Sequence, residues 1–177
     1  ANSLLYYYLD NARNEWISTT AGVSKLAAAT RIINTWREVL PGITAADELV
    51  SVQKGADQHI YVAAFGTGRV YRIDPLSGKA GTLLADRLPD TWCVSGFGNE
   101  MVFTGSSLFI TRYNTLTGNY TQSGFLKKYF PASDVIILAF RQQNGDEWYS
   151  GNNGGGLVRI SARDGSIHHY RKDGPAG

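Results

Sequence analysis

A short strand-like run with an aromatic residue at its head and small residues at its tail returns four times along these 177 residues. The copies are Glu15-Trp16-Ile17-Ser18-Thr19, Ile60-Tyr61-Val62-Ala63-Ala64, Val102-Phe103-Thr104-Gly105-Ser106 and Glu147-Trp148-Tyr149-Ser150-Gly151. Their aromatics Trp16, Tyr61, Phe103 and Trp148 stand 45, 42 and 45 residues apart. A second landmark keeps step: a basic residue followed by an apolar one, in Lys25-Leu26, Arg72-Ile73, Arg112-Tyr113 and Arg159-Ile160. Two independent markers sharing one period identify tandem repeats, and a period of this length restricts the fold to stacked supersecondary units.

Each unit begins with an apolar run (residues 4–9, 49–52, 92–94 and 135–140), passes a polar turn, and reaches the aromatic-headed run. The basic-apolar pair follows, and in the last three copies a turn containing Gly78, Gly118 or Gly165 leads to a further short run. Four strands per period of about 45 residues is the blade of a β-propeller. The expected fold is therefore all-β, four four-stranded antiparallel blades at residues 1–42, 43–88, 89–131 and 132–177. Residues 23–39 contain good helix formers, but register with the other copies favours strands and a loop there.

Composition agrees. Charged residues make up 18%, against roughly a quarter in ordinary soluble domains, while 20 glycines, 4 Trp, 10 Tyr and 7 Phe suit short strands joined by tight turns. The formal net charge is +2, too small a field to grip nucleic acid or an anionic membrane. With one cysteine, Cys93, the chain has no internal disulfide and no multi-thiolate zinc site. The tract Trp92-Cys93-Val94 predicts a buried, inert thiol. No apolar run of about 20 residues and no signal-peptide pattern is present, so direct membrane insertion is not expected and any export signal or anchor is expected to lie outside these residues.

The fourth copy runs Asn144-Gly145-Asp146-Glu147-Trp148-Tyr149-Ser150-Gly151, then Asn152-Asn153-Gly154-Gly155-Gly156-Leu157-Val158-Arg159-Ile160. It resembles the blade signature of the two-component regulator propeller family, as does the first copy through Asp10, Trp16, Thr19 and Gly22-Val23. The turns Leu40-Pro41, Leu88-Pro89 and Phe130-Pro131 fit that family's links between blades. The resemblance implies the periplasmic sensor region of a bacterial hybrid two-component system, non-catalytic in itself, signalling through a membrane helix to a cytoplasmic kinase. It also implies a small ligand such as an oligosaccharide, and no cofactor. That family's rings usually hold more than four blades. The expected partners are thus the remaining blades of a parent protein, or another copy, pairing through open sheet edges. The run Ile60-Tyr61-Val62-Ala63 to Val70-Tyr71-Arg72-Ile73-Asp74-Pro75 resembles the antibiotic-linearising lyase propellers as well, which keeps an enzyme as an alternative beside a protein-interaction scaffold.

Repeating residues belong to packing. Trp16, Tyr61, Phe103 and Trp148 are expected between blades, and Lys25, Arg72, Arg112 and Arg159 are expected to pair with turn acids such as Asp74. Gly154-Gly155-Gly156 precedes a strand rather than a helix, so it predicts a tight turn and not a phosphate loop. His168 and His169, adjacent on a strand, face opposite ways and do not chelate one metal. Ligand candidates are sought where the repeat breaks, on the connections into the first strand of each blade at residues 44–48, 90–92 and 132–134. Asp47, Glu48, Asp90, Trp92, Ser133 and Asp134 offer oxygens for hydroxyl groups and one indole platform for the apolar face of a sugar.

Overall fold

The computed structural model describes residues 4–26, 33–35, 40–44, 47–84, 87–88 and 90–171. Among them lie sixteen strands and one short 3-10 helix, Phe125–Lys128. The first blade holds β1 (Leu4–Leu9), β2 (Glu15–Thr19), β3 (Gly22–Leu26) and β4 (Ile33–Thr35); the second holds β5 (Glu48–Lys54), β6 (Ile60–Phe65), β7 (Arg69–Ile73) and β8 (Ala80–Leu83). The third is β9 (Thr91–Phe97), β10 (Glu100–Gly105), β11 (Ile110–Asn114) and β12 (Tyr120–Ser123); the fourth is β13 (Ile136–Arg141), β14 (Glu147–Gly151), β15 (Leu157–Ile160) and β16 (Ile167–Tyr170). Every sheet is antiparallel in chain order, so each blade is a meander. Of residues 23–39, the described parts are strand; the rest lies outside the described residues.

The turn between third and fourth strands explains the periodic glycines. Gly78, Gly118 and Gly165 have φ of 70°, 75° and 71°, the left-handed region that a side chain disfavours. Each donates its N–H to the carbonyl four residues earlier, on Asp74, Asn114 and Ser161. Asp74 therefore serves its own turn, accepting from Leu76 N–H at 2.9 Å and Ser77 Oγ at 2.7 Å, and is not the partner of Arg72.

The first strand of every blade carries one irregularity at the same place. Its register against the second strand shifts between Leu4 and Tyr6, Leu49 and Ser51, Thr91 and Cys93, and Ile136 and Leu138. The bulged residues are Leu5, Val50, Trp92 and Ile137. A bulge bends and twists the strand and re-aims its side chains, and here it reverses which face the residues before it point to. Leu49 and Val52 both join the core with Trp16, whereas Ser51 reaches Val94 in the third blade.

The blades stack as a fan, with β1, β5, β9 and β13 packed successively on one another. Call the face of a blade turned to the next blade its forward face, and the opposite one its rear face. Three apolar cores fill the three junctions. Trp16 packs with Leu49, Val52 and Val62; Tyr61 with Val94 and Phe103; and Val102 with Ile136, Ala139 and Tyr149. Trp16, Tyr61 and Phe103 pack between blades as expected, but not from the same face. In register with the basic residues, the forward residues are Trp16, Tyr61, Val102 and Trp148, paired with Lys25, Arg72, Arg112 and Arg159. Phe103 lies on the rear face instead, its ring 6.4 Å from that of Tyr61.

The two ends of the fan are sheet faces rather than strand edges. At the far end Trp148 stacks between Phe140 and Tyr170, whose ring centroids lie 6.0 and 5.9 Å away, and Leu138, Phe140 and Tyr170 are 42, 39 and 39% exposed. Trp16, in the same place one end earlier, is completely buried because the second blade covers it.

Candidate functional site

Antiparallel order brings the start of each first strand, the end of each second strand and the loop to the third strand to one end of the fan, here the leading rim. All six sequence-predicted site residues lie on it, yet they divide by what their side chains do. Asp47 and Asp134, each 1% exposed, are structural. The Asp134 carboxylate accepts N–H groups from Val135, Asn153 and Gly155, each at 2.8 Å. A Cβ on Gly151 or Gly155 would strike that carboxylate, which accounts for the glycine-rich loop. The loop does cradle an anion, and the anion is the chain's own.

Asp47 holds the same position two blades earlier relative to the bulge and accepts from Thr44 N–H at 2.7 Å and Thr44 Oγ1 at 2.9 Å. Burial acts to raise its pKa, but the hydrogen bonds from Thr44 and Thr67 and the charge of Arg69 outweigh it and hold the carboxyl below its ordinary value. Ser133 is exposed and contributes its backbone, accepting from Asn153 Nδ2 at 2.7 Å.

Glu48, Asp90 and Trp92 remain as surface chemistry. Glu48 is exposed and pairs in register with Phe65, whose ring centroid lies 4.2 Å from that of Trp92. Trp92 is the bulged residue of the third blade, and its Nε1, out of contact with solvent, has no hydrogen-bond partner. Asp90 accepts from Ser106 Oγ at 2.6 Å and adopts a φ of 24°, a strained conformation for a residue with a side chain. Gly105 is fixed by this crossing, since a Cβ there would strike the Asp90 carbonyl.

Beyond Ser106 the rim opens into a cleft of about 250 Å³ between the third and fourth blades, lined by Ser106, Ser107, Leu108, Lys127, Phe130 and Ala132. Leu108 is a second strained residue, with φ 57°. Ser107 Oγ is buried without a partner, and Lys127 Nζ stands 3.9 Å from the Phe109 ring centroid. Sequence reasoning missed Phe65, Ser106, Ser107 and Lys127. Ser106 and Ser107 sit in a turn after a repeat strand, and the 3-10 helix that delivers Lys127 has no counterpart in the described parts of the other blades.

The basic ladder is structural, and two of its members pair with turn acids as expected, though not with Asp74. Arg72 meets Asp57 at 2.9 Å and Arg159 meets Asp146 at 2.6 Å, both acids from the turn between first and second strands. Lys25 lies over Trp16, 5.4 Å from the ring centroid. Arg112 crosses to the next blade, pairing with Glu147 as well as Glu100. Burial works to raise the Glu147 pKa, but hydrogen bonds from Arg112, Arg141 and Tyr149 carry it below its usual value. Tyr149 moves the other way, raised by burial and the neighbouring carboxylate. Burial also raises the Cys93 thiol, so that side chain is a poor nucleophile, as expected. His169 packs against Tyr129 and Phe130 with Nε2 2.6 Å from the Gly155 carbonyl, while His168 faces Tyr170 on the other side.

No family model matches the chain, and no curated protein sequence matches it at a significant level. Solved structures do. A streptogramin B lyase superposes with a TM-score of 0.75 at 15% identity, over 97% of this chain and 55% of the lyase. Virginiamycin B lyase from Staphylococcus aureus gives 0.73 at 19%, over 97% and 56%. The extracellular domain of the putative hybrid two component system BT4673 from B. thetaiotaomicron gives 0.72 at 15%, over 97% and 22%. The fold is a β-propeller fan. At these identities the likeness concerns fold alone, and the chain spans little more than half the length of the lyases and under a quarter of the sensor domain. Among the described residues no helix is long and apolar enough to cross a membrane, and no group of three or more His, Cys, Asp or Glu residues is placed to hold a metal ion.

Proposed function

We propose that these blades are a non-catalytic, ligand-sensing part of an extracytoplasmic sensor in a two-component system, and that the leading rim takes a small polyhydroxylated ligand such as an oligosaccharide. The observation that carries this reading is the cleft between the third and fourth blades. It combines an unpartnered hydroxyl, Ser107, with a lysine, and lies beside two strained residues, Asp90 and Leu108, at the rim that also presents the Phe65–Trp92 aromatic pair. Strain and orphaned polar groups concentrate where a ligand is bound, and aromatic surface beside carboxylates suits a sugar ring. The blade signatures and the likeness to sensor extracellular domains support the signalling context.

The test is a thermal-shift and calorimetric screen of oligosaccharides against the 177-residue chain, since a ligand specific for the native state raises Tm. A binder is expected whose shift is lost in Ser107→Ala and in Lys127→Met. A panel without binders, or a binder indifferent to both substitutions and to Trp92→Ala, would sink the reading. The likeness to two lyases favours an enzyme as the second reading. Consumption of streptogramin B by the purified chain with added divalent cation would move the assignment there; none is expected.

A further inference from the structure

The three junctions inside the fan share one grammar. At the centre of each, a forward residue meets a rear residue: Trp16 meets Val62, Tyr61 meets Phe103, and Val102 meets Tyr149, so a bulky ring faces a β-branched residue in two of the three. Two residues after the forward residue, a hydroxyl links blades at two of the three junctions, Ala63 standing at the other. Ser18 Oγ donates to the Leu49 carbonyl at 2.8 Å, and Thr104 Oγ1 to the Ile136 carbonyl at 3.5 Å, each acceptor being the residue just before the bulge. At the junction of the third and fourth blades, forward Arg112 also pairs with rear Glu147.

The two open ends of the fan carry the matching halves of this grammar. On the forward face of the fourth blade stand Trp148, Ser150 and Arg159, in register with Trp16, Ser18 and Lys25. On the rear face of the first blade stand Glu15 and Ile17, which occupy the places of Glu147 and Tyr149, with Tyr7 and Leu9 each 50% exposed beside them. Trp148 would meet a β-branched Ile17, as Trp16 meets Val62. Arg159 would face Glu15, as Arg112 faces Glu147. Ser150 would reach the carbonyl of Leu4, the residue before the first bulge. Rear positions corresponding to Glu15 hold Ile60 and Met101 in the middle blades, so an acid stands at this place only in the first and fourth blades.

We propose that the forward face of the fourth blade binds the rear face of the first blade of a second copy, and that two copies close a ring of eight blades. A head-to-tail contact either closes or polymerises, and eight blades lie at the upper end of the usual propeller range. The inference stands apart from the ligand reading, because it uses the sheet faces and none of the rim residues.

Light scattering of the purified chain is expected to give twice the 19.4 kDa chain mass at micromolar concentration. Ile17→Arg and Leu138→Glu alter one partly exposed side chain each, on opposite faces, and each alone is expected to yield a folded monomer by circular dichroism. An equimolar mixture of the two variants should recover the dimer, because one junction then has both native faces and the other brings the new arginine to the new glutamate. A monomer at every concentration, a dimer indifferent to both substitutions, a mixture that stays monomeric, or oligomers that lengthen with concentration would each overturn the proposal. A ligand found at the rim of a monomeric chain would overturn the ring while leaving the proposed function intact.

Discussion

Trp16 and Trp148 hold the same place in their blades, but truncating them should have unequal costs. Trp16 is sealed by the second blade, with its indole N–H 3.1 Å from Asp10 Oδ2. Trp16→Ala should therefore cost about 3–5 kcal/mol. Trp148→Ala in the separated chain should cost about 1 kcal/mol, with urea unfolding as the measure of both. Asp134→Ala strips the acceptor from three backbone N–H groups and should cost about 3 kcal/mol or more. Gly155→Ala should do comparable damage through the same carboxylate, readable as a fall in Tm. At this scale the sequence showed which residues repeat but not which way they point. Phe103 matches the aromatic spacing, yet side chains alternate along a strand, and a shift of one residue turns it to the opposite junction. Asp47 and Asp134 look like departures from the repeat because the other two blades have Asn2 and Pro89 at that register in the sequence. Their burial was invisible until the glycine loop was seen to fold around the carboxylate.

The strands and their turns were legible because turn chemistry and apolar alternation agree in every copy. The acids that meet the ladder were not. Asp57 and Asp146, which meet Arg72 and Arg159, and Asp10, which meets the Trp16 indole instead, come from corresponding turns but lie four, two and six residues ahead of the forward ring, so no fixed spacing predicts them. These pairs make stability depend on pH. The carboxyls of Asp10, Asp146 and Glu147 sit below their ordinary values in the folded chain, so their contribution is complete above the unfolded pKa and is lost as pH falls through the folded one. Tm is expected to be flat above about pH 5 and to drop below about pH 4, and Glu147→Gln should shrink that drop while lowering Tm at neutral pH.

For the molecule as a whole, a stack in which each blade touches only its neighbours should unfold from its ends inward. Hydrogen exchange is expected to be slowest in β6 and β10, whose blades are covered on both faces, and fastest in β16, with blade-by-blade protection as the measurement. Uniform protection across all four sheets would mean that the terminal faces are covered too, as a closed ring requires. The fold class was the easiest part to foresee, since the period alone carried it. The cleft was the hardest, because it arises where a helix present in a single described loop meets the start of the neighbouring blade.

The bulge in every first strand has one more consequence. Because it reverses the in-out parity of the chain, side chains on its rim side are numbered out of phase with those that hold neighbouring blades together. Substitution on one side of that break leaves the phase of the other untouched, so the rim is free to acquire new specificities while the buried lattice beneath it keeps its grammar.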